Sequence, residues 1–221
     1  MARIDLLQNQ HARLKRDYRQ RVMDHDKAEC AEVAKRFEAD YWDGDRRFGY
    51  GGYRYDGRWR PLAEKLAALY DLKPGERLLD IGCCKAFLLY ELSVVVPGLE
   101  VVGLDISQWG LDHAKSEVRP FLVRGSADAL PFADKAFDCV ISLGALHNLG
   151  VDRVHEALGE MERVGRGPRK YFMVESWRNE REKANLLYWQ LTCESFHPPQ
   201  GWAWLAKQAG YEGDHGFIFF E

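Results

Sequence analysis

Residues 76–105 have the sequence ERLLDIGCCKAFLLYELSVVVPGLEVVGLD, and this stretch decides the fold. ERLLDIG (76–82) is a short apolar run next to glycines, which is typical of a buried strand. KAFLLYELSVV (85–95) predicts a helix, and EVVGLD (100–105) predicts a second strand. A strand, a helix and another strand in this order form a right-handed crossover between parallel strands.

The same alternation continues to the end of the chain. Further strands are predicted in PFLVRG (120–125), FDCVISL (137–143), KYFMVES (170–176) and GFIFF (216–220). Helices are predicted from Pro61 to before Lys73 and over about 107–117, 151–163, 179–191 and 201–209. This pattern favours an α/β domain over 61–221, with a doubly wound, mostly parallel sheet covered by helices on both faces.

The first 60 residues differ in character. Apolar residues at helical spacing predict a helix over 5–40, with a face formed by Leu7, Leu14, Tyr18, Val22, Val33 and Phe37. Residues 41–60, YWDGDRRFGYGGYRYDGRWR, contain seven aromatic residues and five glycines, too many glycines for a regular helix or strand. Such a loop either closes over a ligand as a lid or packs its rings on the sheet edge.

Composition and charge exclude several classes of protein. The chain has 221 residues, of which 46% are hydrophobic and 29% charged, as in ordinary globular domains. A net charge of -3 makes a broad nucleic-acid surface improbable, and no apolar run approaches the roughly 18 residues of a membrane span. Five cysteines without a C-x-x-C pair, and no apolar signal sequence, predict reduced thiols in the cytoplasm. No metal site is expected from the histidine spacing, and the sequence is compatible with a homodimer.

The chemistry is expected where the strands end. In doubly wound sheets ligands bind at the carboxyl ends of the strands, near the switch in strand order. Asp105 ends the second predicted strand, 23 positions after Gly82, where an acidic side chain can accept both hydroxyls of a ribose. The small residues after Gly82 let a ligand approach the backbone and the helix N-terminus. Both features predict a nucleoside-containing cofactor, and the absence of G-x-G-x-x-G makes a dinucleotide less suitable.

Three segments carry a resemblance to a known family. ERLLDIGCCKAFLLYEL, VVGLDIS and RGSADALPFADKAFDCVISLGALHNL, in this order, resemble the motifs of class I S-adenosylmethionine-dependent methyltransferases, over roughly residues 75–176. The resemblance implies a Rossmann-like domain, S-adenosylmethionine as cofactor and methyl transfer to a small-molecule acceptor. The cofactor-binding residues that it implies are Asp80, Gly82, Cys83, Cys84 and Lys85 at the methionine portion, Asp105 at the ribose, Ile106, Ser126, Ala127 and Asp128 at the adenine, and Leu143 beside the sulfonium.

Two features depart from the family pattern. The turn of the family runs D-x-G-x-G-x-G, whereas this chain has Cys84 and Ala86 at the second and third glycine positions. Ala86 is expected to be an easy change because it begins the helix, while Cys84 either leaves the pocket intact or weakens cofactor binding. The family sheet also closes with a hairpin, but only GFIFF follows the last helix, so the closing strand is expected to be missing or supplied elsewhere.

Catalytic residues are less strongly indicated. His147 follows the fourth predicted strand and could act as a base near neutral pH, or simply satisfy the loop backbone. Glu175 could bind or deprotonate a substrate amine, or form a buried structural contact. Tyr53 is a third catalytic candidate, and the candidate substrate-binding residues are Tyr50, Arg54, Tyr55 and Trp59. Two alternatives stay open: cyclisation or elimination at the sulfonium, and a regulatory protein that binds the cofactor without catalysis.

Overall fold

A computed structural model describes residues 2–7 and 17–221. The strands are β1 (Arg77–Ile81), β2 (Glu100–Asp105), β3 (Leu122–Arg124), β4 (Cys139–Leu143), β5 (Lys170–Glu175) and β6 (Asp214–Ile218). The helices are α1 (Tyr18–Asp24), α2 (Lys27–Ala34), α3 (Ala39–Trp42), α4 (Arg60–Leu69), α5 (Phe87–Val95), α6 (Gln108–Asp112), α7 (Val151–Val164), α8 (Glu180–Trp189) and α9 (Pro199–Gln208). Short 3₁₀ turns cover Arg119–Phe121 and Leu146–Asn148.

The six strands form one sheet in the order β3-β2-β1-β4-β5-β6, and all neighbouring strands are parallel. Successive side chains of a strand point to opposite faces, so Leu78 packs into one hydrophobic cluster and Leu79 into the other. Helices α4, α5, α6 and α8 contribute to the first cluster, and α7 and α9 to the second. The predicted doubly wound α/β fold is therefore confirmed.

The sheet edge at β6 is covered from the beginning of the chain. Within the part of the chain that the structure describes, no strand follows β6. The N–H of Ile4 donates to the carbonyl of His215 at 2.7 Å, and the N–H of His215 donates to the carbonyl of Ala2 at 3.0 Å. These bonds satisfy backbone groups that an open strand edge would leave exposed. The predicted absence of a closing strand after β6 thus agrees with the described residues, and the N-terminal residues cover that edge of the sheet.

The single helix predicted over 5–40 is wrong in its described part. Helix α1 ends before His25, whose backbone is extended with φ −142° and ψ 143°. The side chain of Asp26 then caps α2 by accepting the N–H of Glu29 at 3.0 Å, and Asp17 caps α1 in the same way. Such caps start a new helix rather than continue an old one, whereas the predicted position Leu14 lies outside the described residues.

None of the described helices is long and apolar enough to cross a bilayer. The aromatic segment predicted as a loop over 41–60 begins inside α3 and ends where α4 starts at Arg60. Between these helices, residues 43–59 form no helix or strand. This segment passes over the carboxyl ends of the strands, where the candidate site lies.

Candidate functional site

A cavity of about 660 Å³ opens at the carboxyl ends of β1 to β4, where the strand order reverses between β1 and β4. Its volume falls within the roughly 300–1,000 Å³ that is usual for small-molecule sites. The sheet contributes Gly82 and Cys84 after β1, Asp105 and Ile106 from β2, Ser126 and Ala127 after β3, and Gly144 and Ala145 after β4. This location is the one predicted from the strand pattern.

The turn after β1 approaches the loop after β4 so closely that it requires glycine at one position. Gly82 has φ +79°, and a Cβ atom there would lie 2.2 Å from the Cβ of Ala145. Cys84 and Ala86 also have positive φ, 57° and 52°. The prediction that Ala86 is an easy change is therefore wrong, because the left-handed conformation costs a residue with a Cβ atom about 1–2 kcal/mol. The turn keeps the conformation of a glycine-rich loop without two of its glycines.

Asp105 holds this turn in place. One carboxylate oxygen accepts the N–H of Cys84 at 2.8 Å, and the other accepts the N–H of Ser107 at 2.8 Å. Burial raises the pKa of Asp105, and the backbone donors oppose that effect. Each oxygen of a carboxylate can accept a second hydrogen bond. Asp105 lines the cavity, so it can hold the turn and still accept hydroxyl groups from a ligand.

Cys83 and Lys85, which the resemblance implied as cofactor ligands, do not line the cavity. Cys83 is buried in the hydrophobic core, where its sulfur lies close to Gly103. The ammonium group of Lys85 is buried and lies 2.7 Å from both carboxylate oxygens of Asp43. Within residues 83–85, only Cys84 faces the cavity.

The end of the cavity next to β3 combines an apolar surface with a polar edge. Ile106 is half exposed and lines the cavity together with Ser126 and Ala127. Asp128 does not line it, because its carboxylate accepts from Arg153 at 3.0 Å. Arg153, a lining residue that the sequence did not suggest, also donates to the hydroxyl of Ser126 at 2.8 Å. Its hydrogen bonds lower the pKa of Asp128 to about 2.

Asp80 and Leu143 lie behind the lining residues rather than among them. Asp80 is buried, and its Oδ1 atom has no hydrogen-bond partner within the described residues. Burial, together with the nearby Asp105, raises the pKa of Asp80 to about 8. Buried polar atoms are almost always satisfied, so this oxygen is a feature that a polar ligand or a bound water would explain.

Aromatic rings from the N-terminal region form the opposite wall. Phe37, Tyr41, Trp42 and Tyr50 all line the cavity. The rings of Trp42 and Tyr50 are stacked, with centroids 5.2 Å apart and an interplanar angle of 13°. The indole N–H of Trp42 donates to the hydroxyl of Ser107 at 2.7 Å, next to the end of β2. We call this group of four rings the aromatic wall.

Tyr41, Trp42 and Tyr50 of the predicted lid segment belong to the aromatic wall, but of its predicted catalytic and substrate-binding residues only Tyr50 does. The other predicted catalytic or substrate-binding residues of this segment lie outside the cavity: Tyr53, Arg54, Tyr55 and Trp59. Tyr53 is buried, with its ring centroid 5.1 Å from that of Phe87. The hydroxyl of Tyr55 donates to Glu91 at 2.6 Å on the neighbouring helix. Some rings of the aromatic segment thus line the cavity, while others pack against the sheet domain.

His147 and Glu175 come together, but neither lines the cavity. The His147 Nε2 atom lies 3.7 Å from a carboxylate oxygen of Glu175, whose N–H donates to His147 Nδ1 at 3.4 Å. Burial lowers the pKa of His147 to about 4, so the ring is neutral at pH 7. The carbonyl of His147 also accepts the N–H of Ser195 at 3.0 Å. The geometry favours the structural interpretation of His147 over a base near neutral pH.

The polar end of the cavity uses residues that the sequence analysis did not identify. Thr192 donates to the side-chain oxygen of Asn148 at 2.8 Å, and both line the cavity. Lys35 pairs with Glu194 at 2.5 Å across the rim. Arg36 is exposed beside them; its backbone N–H donates to the carbonyl of Val33 at 3.2 Å, but its guanidinium has no partner among the described residues. No local sequence pattern identifies these polar residues as part of the cavity.

No group of three or more His, Cys, Asp or Glu side chains within residues 2–7 and 17–221 is arranged to hold a metal ion. The arrangement instead provides a carboxylate for hydroxyl groups, an apolar slot and an aromatic wall around one cavity. These features fit a nucleoside-containing cofactor and a second, smaller ligand.

Comparisons with known proteins agree with this geometry. Residues 79–168 match a family described as "Methyltransferase domain". A demethylmenaquinone methyltransferase from Symbiobacterium thermophilum is 30% identical over 128 residues, which cover 54% of this chain and 50% of that protein. The 27-O-demethylrifamycin SV methyltransferase from Amycolatopsis mediterranei is 35% identical over 101 residues, covering 42% of this chain and 36% of that protein. The chain thus spans half or less of the length of these relatives.

A solved structure has the same fold. The YcgJ protein of Bacillus subtilis superimposes with a TM-score of 0.56 at 19% identity, covering 70% of this chain and 68% of that one. At this level of identity the likeness concerns the fold alone. The matched family region, residues 79–168, contains every strand-end residue that lines the cavity.

Proposed function

Because the chain belongs to the class I S-adenosylmethionine-dependent methyltransferase family, we propose that it transfers a methyl group from S-adenosylmethionine to a small-molecule acceptor. The observation that carries this proposal is the single cavity that runs from Asp105 and Ile106 to the aromatic wall. When bound, the cofactor supplies a methyl group on a sulfonium, which an acceptor can attack in line. The protein then has to hold and orient both partners and exclude water.

The strand-end residues would hold the cofactor. Asp105 accepts the ribose hydroxyls with the acceptor capacity that remains beside its two backbone donors. Ile106 packs its exposed apolar surface against the adenine, and Ser126 with Ala127 borders the adenine edge. At the methionine portion, Gly82 and Cys84 border the cavity, while Asp80 is buried behind the lining residues.

The aromatic wall would bind the acceptor. Stacked and edge-on rings favour a planar, apolar ligand, and Tyr50 offers such a surface because its ring is exposed and supported by the buried Trp42. Thr192 and Asn148 add hydrogen-bonding groups at the same end. Relatives named for demethylmenaquinone and 27-O-demethylrifamycin SV support an acceptor of small-molecule size.

Among the described residues, no histidine base lines the cavity, and burial raises the pKa of both Tyr41 and Cys84, which do line it. The two lining carboxylates already have partners: Asp105 accepts two backbone N–H groups, and Glu194 pairs with Lys35. We therefore infer an acceptor that is acidic enough to lose its proton to water. The guanidinium of Arg36, which has no partner in the described part of the chain, would then stabilise the anion at the rim. Rate enhancement would come from orientation and desolvation rather than from a general base.

The test is product analysis with a panel of phenols, enols and quinols in the presence of S-adenosylmethionine. Formation of S-adenosylhomocysteine that depends on one acceptor class would support the proposal. Acceptor-independent methylthioadenosine would instead indicate cyclisation or elimination at the sulfonium. Tight binding of the cofactor without any product from a broad panel would favour a regulatory protein.

A further inference from the structure

An ion pair between a buried lysine and a partly exposed aspartate connects the cofactor turn to the segment that carries the aromatic wall. Lys85 lies in the turn between Cys84 and Ala86, and its side chain is only 5% exposed. Its ammonium group is 2.7 Å from both carboxylate oxygens of Asp43. The indole N–H of Trp109 donates to the same carboxylate at 2.9 Å.

Asp43 is well placed to act on the turn. It follows α3 directly, next to Trp42 of the aromatic wall, and its N–H donates to the carbonyl of Ala39 at 2.8 Å. Burial opposes ionisation of Asp43, but hydrogen bonds from Lys85 and Trp109 outweigh it and lower its pKa. The carboxylate is therefore charged at neutral pH, and a helix end fixes its backbone.

The turn needs such an anchor. Cys84 and Ala86 both have positive φ, in a region that residues with a Cβ atom seldom adopt. Strained backbone persists only where the surrounding structure over-determines it. The hydrogen bond from Cys84 to Asp105 fixes one side of the turn, and the N–H of Ala86 closes it by donating to the carbonyl of Cys83 at 2.8 Å. Between the two strained residues, the side chain of Lys85 adds an ion pair with Asp43.

We propose that Asp43 is a positioning residue for the cofactor turn: by binding Lys85, it holds Cys84 and Ala86 in the left-handed conformation that glycines would adopt unaided. The identity of the ligand rests on the proposed function, whereas the anchoring itself does not. Asp43 lies outside the methyltransferase motifs, and its contact with Lys85 allows non-glycine residues to occupy the turn. The segment that builds the acceptor side thereby also shapes the cofactor side.

The first test compares Asp43→Asn with Asp45→Asn. Asp45 lies in the same segment but pairs with Arg47 at 3.8 Å on the surface, so it is a matched control. Without its partner, the buried ammonium of Lys85 is uncompensated and the turn should loosen. In the ligand-free protein, amide hydrogen exchange of Cys84 and Ala86 should become about tenfold faster in Asp43→Asn and stay unchanged in the control. Equal exchange in both variants would overturn the proposal.

A second comparison measures rescue. The affinity for S-adenosylhomocysteine, measured by calorimetry, should fall about tenfold in Asp43→Asn. In a Cys84→Gly/Ala86→Gly background the same substitution should have less than about a threefold effect, because glycine needs no anchor. An equal loss in both backgrounds would contradict the proposal.

A third variant guards against a simple folding defect. Lys85→Met removes the ammonium together with its need for a partner, so the fold should stay stable. Its turn should still exchange faster, since the anchor is gone, and unchanged exchange would count against the proposal. If the wild-type protein does not bind S-adenosylhomocysteine, the proposed function fails, while the exchange experiment still decides whether Asp43 anchors the turn.

Discussion

The carboxylate of Asp105 accepts the backbone N–H of Cys84, 21 residues earlier in the chain, at 2.8 Å. This bond fastens the turn after β1 to the end of β2, two segments that meet only because their strands are neighbours in the sheet. The same carboxylate lines the cavity. One side chain therefore shapes the turn and presents a hydrogen-bond acceptor to the ligand.

Replacing Asp105→Ala should weaken the binding of S-adenosylhomocysteine by at least about tenfold, since a hydrogen bond to a charged group contributes about 1.5–3 kcal/mol. Isothermal titration calorimetry measures this change. Glu100→Ala is the matched control, because Glu100 lies at the other end of β2 and its side chain is 63% exposed. Equal affinities of wild type and Asp105→Ala would refute the role given to this residue.

Gly82→Ala and Gly75→Ala separate two effects of an added side chain, backbone strain and steric clash. Both glycines have positive φ, but a Cβ atom at Gly75 would meet nothing within 4 Å, whereas one at Gly82 would lie 2.2 Å from Ala145. Gly75→Ala should lower the free energy of unfolding by about 1–2 kcal/mol and leave ligand binding unchanged. Gly82→Ala should lower both stability and affinity more, as measured by denaturation and calorimetry. Similar results for the two variants would contradict the close approach.

Tyr50→Ala and Tyr53→Ala should differ in stability. Tyr53 is 9% exposed, whereas Tyr50 is 44% exposed on the aromatic wall. Loss of a buried aromatic ring costs about 3–5 kcal/mol, so Tyr53→Ala should lower the melting temperature by roughly 6 °C or more for a chain of this size. Calorimetric scans should give a clearly smaller loss for Tyr50→Ala. A larger loss in Tyr50→Ala would mean that its ring is structural.

Acid should destabilise the protein partly through His147. Its pKa is lowered by burial from an ordinary 6.5 to about 4, so between these values the unfolded chain takes up a proton that the folded protein refuses. The stability that neutral His147 contributes to the folded protein is complete above pH 6.5 and is lost as the pH falls toward 4. This contribution amounts to about 3 kcal/mol, at roughly 1.4 kcal/mol per pKa unit.

Denaturation of wild type and His147→Gln between pH 4 and 7 provides the measurement. The difference between the two stabilities isolates this residue from other titrating groups. It should shift in favour of the variant as the pH falls. A difference that does not vary with pH would show that His147 is not buried in its neutral form.

Local patterns predicted the fold and part of the strand-end site. Buried strands are recognised by short apolar runs, so Asp105 could be placed at a strand end from the pattern, whereas Ile106 and Ser126 came from the family resemblance. All three line the cavity. The direction of side chains within the turn was not predictable, because it depends on the positive φ of Cys84 and Ala86.

The cavity residues of the N-terminal region, in contrast, could not be predicted from local sequence patterns. Its aromatic rings are conspicuous in the sequence, but which of them faces the cavity depends on contacts with distant elements. The indole of Trp42 is held by Ser107, and the phenol of Tyr55 by Glu91. Thr192 and Glu194 reach the cavity from a segment beyond β5 and α8. No periodicity within the segment encodes such long-range contacts.

The central claim is that the cavity at the carboxyl ends of β1 to β4 binds S-adenosylmethionine. Calorimetric titration of the folded wild-type protein with S-adenosylhomocysteine tests it most directly. The account predicts saturable binding to one site per chain, weakened by Asp105→Ala and unchanged by Glu100→Ala. Absence of binding at millimolar ligand, with the protein shown to be folded by its melting transition, would contradict it.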